Sequence, residues 1–195
     1  MPTKISSKIL KFPETRQAFD FDCGATAVQS VLYYYGIERR SDELIEILQS
    51  DRNEGTTPGN IVKAFIDAGF NVHAGQMTVA DLRAWIDRDI PVIVTLQAWS
   101  EKEKDYAKTL DEGHYVVAIG YDDDTVYFDD PSLLDNRGCI PIAELDERWH
   151  DIDRNKWLLE HFGIAVFGRK PEYNPNKIIK IESLQQRVAR RWAAR

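Results

Sequence analysis

Three places in this 195-residue sequence set reactive side chains where chemistry is possible. The first is Gln17-Ala-Phe-Asp-Phe-Asp-Cys-Gly-Ala-Thr-Ala27, which puts Cys23 at the first turn of a helix, directly before a glycine. Unpaired amide N–H groups and the helix dipole at such a position favour a negative sulfur, so the thiol pKa is expected below that of a free cysteine. Gly24 leaves no side chain beside the sulfur and would let a substrate backbone approach closely. The bland alternative is that Cys23 is a small buried apolar residue and Asp22 a simple N-cap, because free cysteine is among the most buried residue types.

A nucleophilic cysteine needs a base, and the base needs an orienting group. His114 follows Gly113 and opens a strand, where an imidazole can project from the sheet edge. Fifteen residues further comes Asp129-Asp130-Pro131, at the end of a second strand. Hairpin pairing brings the end of the second strand beside the start of the first. Turn chemistry explains Gly113-His114 on its own, and a strand end explains Asp-Pro on its own. Their coincidence with Cys23 is what points to nucleophilic catalysis.

The elements that must hold these residues follow from periodicity. Cys23 to Tyr35 repeats Ala27, Val28, Val31, Leu32 and Tyr35 at helical spacing, and Gly36 ends it. Ser41 is expected to cap a second helix, with Leu44, Ile47 and Leu48 as its buried stripe. Thr57-Pro58 opens a third, with Ile61, Val62, Phe65 and Ile66 facing inward. Asn71 to Ala74 reads as extended, and Thr78 caps a fourth helix carrying Val79, Leu82, Trp85 and Ile86. Pro91 to Gln97 is a strand apolar on both faces, hence covered. Ser100 to Glu112 is a charged surface connection. His114 to Tyr121, the turn at Asp122-Asp123-Asp124, and Thr125 to Asp129 form a hairpin. A short helix over Ile142 to Trp149, a last strand over Gly163 to Gly168 and a basic C-terminal helix around Val188 and Trp192 complete the pattern. Helices first and then an antiparallel sheet make an α+β layout.

Composition excludes several classes. Five Trp, eight Tyr and eight Phe supply a real core, so the chain is not disordered throughout. No apolar run approaches the roughly 20 residues of a membrane span, and the N-terminus lacks a signal-peptide core, which sets the expected compartment as the cytoplasm. The net charge of −7 disfavours nucleic-acid binding by the whole molecule. From Lys177 onward there are six basic residues and one acid, a local +5 that leaves −12 on the rest. Cys23 and Cys139 are expected as free thiols. A thiol sensor built on both is the weaker idea, because no CxxC pairing exists. His73, read as a strand residue, His150, read as a helix-end residue, and His161 lack metal-ligand spacing, so neither metal nor cofactor is implied. Tyr33-Tyr34-Tyr35 spans three helix faces and reads chiefly as packing.

Gln17, Cys23-Gly24-Ala-Thr-Ala27, Gly113-His114-Tyr-Val-Val-Ala-Ile-Gly-Tyr-Asp-Asp and Asp130-Pro131-Ser132 together resemble the bacteriocin-processing double-glycine leader peptidases, a family of papain-like cysteine peptidases. The resemblance covers about residues 13 to 168, since Gly138 to Trp149 also matches the glycine, short helix and Trp that follow Asp-Pro in that family. It implies a papain-like α+β fold, an N-terminal helical half packed on a C-terminal antiparallel sheet. It also implies Cys23 as nucleophile, His114 as general base and acid, Asp130 as orienting acid, and Gln17 as oxyanion donor beside the Cys23 amide. The implied partner is a peptide or protein substrate, possibly a leader peptide. The best-known members sit at the N-terminus of an ABC transporter, whereas this sequence shows no membrane segment and no P-loop pattern. A stand-alone domain over 13–170 is expected, with an extension over 1–12 and a basic tail over 171–195. Two rival readings use the same cleft: a non-catalytic peptide-binding module, and an acyltransferase or transpeptidase with the same nucleophile.

Alternation separates the two adjacent aspartates. Val126, Phe128 and Asp130 fall on one face of the strand, Tyr127 and Asp129 on the other. Pro131 keeps Asp130 extended and removes the next ladder donor, so Asp130 is left at an open strand end.

Overall fold

The computed structural model describes residues 7–98, 105–134, 137–178 and 180–181. Among these residues, five α-helices alternate with the strands of a largely central sheet. The strands are β1 (Lys8–Ile9), β2 (Asn71–Gln76), β3 (Val92–Gln97), β4 (Gly113–Tyr121), β5 (Thr125–Asp129), β6 (Gly138–Pro141), β7 (His150–Ile152), β8 (Leu158–Glu160) and β9 (Phe162–Phe167). The helices are α1 (Cys23–Tyr34), α2 (Ser41–Ile47), α3 (Pro58–Asp67), α4 (Val79–Asp87) and α5 (Ile142–Arg148). This is the expected α+β arrangement.

The main sheet runs β2-β9-β3-β4-β5-β6, and every pair in it is antiparallel. β1 pairs with Gly120 and Tyr121 of β4, and Leu10 and Phe12 just after it are buried in the core. β7 and β8 form a separate hairpin. All six residues of β3 are buried, as its unbroken apolar run requires.

α1 is the helix that matters most for the site. Ten of its twelve residues are buried, from Cys23 through Val28, then Ser30, Val31, Leu32 and Tyr34. A helix apolar on nearly all sides belongs inside a domain rather than on its surface. Each fully buried Val or Leu contributes about 1.5–3 kcal/mol, so the N-terminus of α1 is rigidly held. Tyr34 and Tyr35 are core residues whose hydroxyls donate to Asp89 O and Val166 O. Packing therefore explains these two members of the tyrosine run.

Several local features differ from the sequence expectation. Thr57 and Thr78 cap α3 and α4 as expected, accepting from Asn60 N and Asp81 N. The N-cap of α2 is Arg40, with Ser41 the first helical residue and Glu43 reaching back to the Arg40 amide. Ile47 and Ile66, expected inside, are each 56% exposed. In α3 the buried stripe runs through Ile61 and Phe65, four residues apart, and Ile66 lies about 100° round the helix from Phe65. His150 opens β7 instead of ending a helix, because α5 stops at Arg148. The C-terminal helix proposed around Val188 and Trp192 lies outside the described residues.

Candidate active site

Cys23 is the first residue of α1 and lines a cavity together with Thr56, Gly113 and Tyr115. The local reason is Asp22, which ends the loop before the helix. Its carboxylate accepts from Ala18 N at 3.2 Å and Phe19 N at 3.1 Å, and makes no side-chain cap to the helix. Asp22 is therefore a brace for the 17–22 loop, not the simple N-cap of the bland alternative. The helix amides near Cys23 stay free of a side-chain cap, which keeps their positive potential available at the sulfur.

Gly24 serves packing and not substrate approach. A Cβ there would stand 2.8 Å from Thr56 Cβ and 3.1 Å from Tyr115 Cδ2. Tyr115 OH donates to Thr56 O at 3.0 Å, which locks the loop before α3 to β4 across the end of α1.

His114 is the second residue of β4 and is buried. The Asp130 carboxylate Oδ1 lies 2.8 Å from His114 Nε2, and the other ring nitrogen is left for the Cys23 thiol, with which His114 also hydrogen-bonds. Burial pulls the imidazole pKa down. The hydrogen bonds to Asp130 and Cys23 and the attraction of both negative groups outweigh it, and the pKa rises to about 9. Burial likewise works to raise Asp130, yet the His114 and Ser132 hydrogen bonds hold its carboxyl below the usual range. The arrangement favours a proton on the ring beside the ionised Asp130 carboxylate.

Asp130 lies just past β5 in the turn that Pro131 begins. Ser132 donates to Asp130 Oδ1 through both its amide and its hydroxyl, each at 2.9 Å. Sequence reasoning assigned Ser132 no role. The available signal was a hydroxyl two residues after an aspartate, the spacing of a side-chain turn. Asp129 goes elsewhere: it is buried and hydrogen-bonds Ser30 of α1.

Gln17 sits beside the same turn, since its amide donates to Pro131 O at 2.9 Å. Its side-chain Nε2 donates to Phe19 O at 2.9 Å, and among the described residues no acceptor meets the second N–H of that amide. The structure thus brings Cys23, His114 and Asp130 into one hydrogen-bonded line. Gln17 is tethered at the Asp130 end of it through its backbone amide. Cys139 is exposed in β6 and free, and no disulfide joins the two cysteines.

A family model described as the Peptidase C39 family matches residues 11–152. LagD of Lactococcus lactis subsp. lactis, a lactococcin-G-processing and transport ATP-binding protein, is 28% identical over 166 residues, covering 84% of this chain and 20% of that protein. ComA of Streptococcus pneumoniae, a transport/processing ATP-binding protein, is 27% identical over 167 residues, covering 83% and 19%. The chain thus spans about a fifth of the length of these relatives. Among solved structures, a double glycine motif protease from an AMS/PCAT transporter, in complex with the leader peptide, superposes with a TM-score of 0.61 at 18% identity, covering 88% of this chain and all of that one. A putative C39-like peptidase from Bacillus anthracis gives 0.66 at 16% identity, covering 84% and 98%. These likenesses show a papain-like peptidase fold.

Proposed function

This chain belongs to the Peptidase C39 family, and from that premise we propose that it is a cysteine peptidase in which Cys23, His114 and Asp130 form the catalytic triad. The observation that carries the reading is the line from Cys23 through His114 to Asp130, with the Asp130 Oδ1 to His114 Nε2 distance at 2.8 Å.

The reaction follows from the protonation pattern. The Cys23 thiolate attacks the carbonyl carbon of a peptide bond, and the carbonyl π electrons move onto oxygen. The Cys23 backbone N–H and the free N–H of the Gln17 amide stabilise that oxyanion. His114 then gives its Nδ1 proton to the departing amine as the C–N bond breaks, leaving a thioester on Cys23. Water adds to the thioester, losing its proton to His114, and the carboxylic acid leaves as the thiolate returns. Asp130 stays ionised throughout and holds the ring in the orientation and tautomer that both transfers need. Ser132 fixes the carboxylate and Asp22 fixes the loop that carries Gln17.

The substrate is a peptide, and a leader peptide cleaved after small residues is the favoured class. Its support is the relative bound to a leader peptide and the processing role named for LagD. The test is incubation of synthetic double-glycine precursor peptides with wild type and with Cys23→Ala, read by mass spectrometry. Cleavage by wild type alone is the expected result. Equal cleavage by Cys23→Ala, or none by either protein, contradicts the reading.

A further inference from the structure

A second carboxylate in the cleft plays no part in that chemistry. Beside Cys23 a cavity of about 460 Å³ opens between residues 52–58 and the β7–β8 hairpin. Asp151, in β7, lines it with Thr56, Gly113 and Tyr115. Asp151 Oδ1 accepts from Ile152 N at 2.8 Å and from Gln97 Nε2 at 3.4 Å. Among the described residues no donor reaches Oδ2. That oxygen lies 2.5 Å from where a Cβ on Gly113 would stand, so the absence of a side chain directly before His114 is what lets a carboxylate lie along this wall.

Three cations, Arg52, Arg154 and Lys156, line the same cavity, and none of them hydrogen-bonds or ion-pairs with Asp151. Arg154 donates to Gly55 O at 2.6 Å and Gln49 O at 3.3 Å, and its Nε lies 3.5 Å from Glu54. It therefore ties the β7–β8 turn to the loop before α3 across the end of the cavity. His150 and His114 are the titratable groups that face Asp151 with a favourable charge. Acidic side chains outnumber basic ones along the cavity wall. A half-buried carboxylate with an open oxygen, in a cavity that borders the nucleophile, is matched by a cation that the ligand brings.

We propose that Asp151 is a specificity-determining residue whose carboxylate receives the ammonium or guanidinium group of a lysine or arginine near the cleaved bond of the substrate. The proposal rests on the peptidase reading above and names the side-chain class that the cavity selects.

The test is digestion of a proteome-derived peptide library, prepared so that Lys and Arg remain internal, by wild type and by Asp151→Asn. Cleavage sites are read by mass spectrometry on both sides of the bond. One flanking position is expected to be enriched in Lys and Arg by about tenfold, the worth of one charge-assisted hydrogen bond, and Asp151→Asn brings it near background. Burial raises the Asp151 pKa to about 6, against the pull of Ile152 N, His150, Gln97 and His114. The enrichment is therefore expected to weaken in wild type at pH 5 relative to pH 8, and this arm decides the matter if the variant does not fold. Cleavage without a basic preference, a preference that survives Asp151→Asn, or one unchanged at pH 5 overturns the proposal and leaves the peptidase reading standing. No cleavage of any peptide by wild type overturns both.

Discussion

Asp130 and Asp129 meet very different surroundings one residue apart. Oδ1 of Asp130 gathers the His114 ring and both donors of Ser132, and its carboxyl is held low. Asp129 turns to α1, where it bonds Ser30 while its Oδ2 is buried without a partner. Burial pushes its pKa to about 7, against the hydrogen bond from Ser30 and the attraction of Arg137. Two identical side chains thus become an ionised partner for an imidazole and a near-neutral part of the core. The number of donors that reach each carboxylate decides between them, and strand alternation decides which donors those are.

The comparison is broken most severely at the line that Asp130 serves. Cys23→Ala or His114→Ala is expected to lower kcat/KM by about 10⁴-fold or more, since members of a triad act as a unit. In wild type, kcat/KM should fall as pH rises through about 9, where His114 loses the proton it must donate. An alkaline limb near 6.5 instead would show that Asp130 and Cys23 do not raise the ring.

Gln17→Ala should cost about 10² to 10³ in turnover, the usual effect of removing one oxyanion donor. Alkylation of Cys23 should stay almost unchanged in that variant, because alkylation forms no tetrahedral oxyanion. Slowed alkylation would make Gln17 a structural support for the sulfur.

The two aspartates then separate directly. Asp130→Ala is expected to lose about 10²-fold, and Asp130→Asn roughly tenfold, since an amide oxygen still accepts from the imidazole. Asp129→Asn should leave kcat/KM within about twofold of wild type, because the amide copies the neutral acid that burial favours. A crippled Asp129→Asn beside an active Asp130→Ala would transfer the orienting role.

The smallest expected effect is on stability. The folded-state pKa of Asp129, about 7, lies above the 3.8 of an unperturbed aspartate. The folded state therefore keeps a proton that the unfolded chain loses between those values. Its stabilising contribution is complete below about pH 4 and disappears as pH rises through 7. Asp129→Asn should flatten part of the fall in Tm between pH 5 and 8. A Tm profile parallel to wild type would remove the buried-acid account.

How much of this was legible depended on how local each part is. Cys23, its helix and the caps at Thr57 and Thr78 follow from a few consecutive residues. The separation of Asp129 from Asp130 needed only strand alternation. Ile47 and Ile66 were misplaced because a hydrophobic residue beside the stripe looks the same in sequence as one within it. β6, β7 and β8 are three or four residues long, too short for periodicity to register. Asp22 was visible, yet its backbone partners lie upstream in the loop and not in the helix it precedes. Asp151 gave no signal at all, because its place beside Gly113 is set by the β7–β8 hairpin and by Gln97 of β3.

The most direct test of the central claim compares the two cysteines. Cys139 is exposed and Cys23 is buried, so accessibility alone makes Cys139 the faster to react. Site-resolved iodoacetamide alkylation, read by peptide mapping from pH 5 to 10, sets accessibility against activation. Activation by His114 and the α1 N-terminus predicts that Cys23 alkylates faster at pH 6 and that His114→Ala removes the advantage. Cys139 reacting faster at every pH, with both rates rising only near the roughly 8.5 of a free thiol, would contradict the assignment of Cys23 as nucleophile.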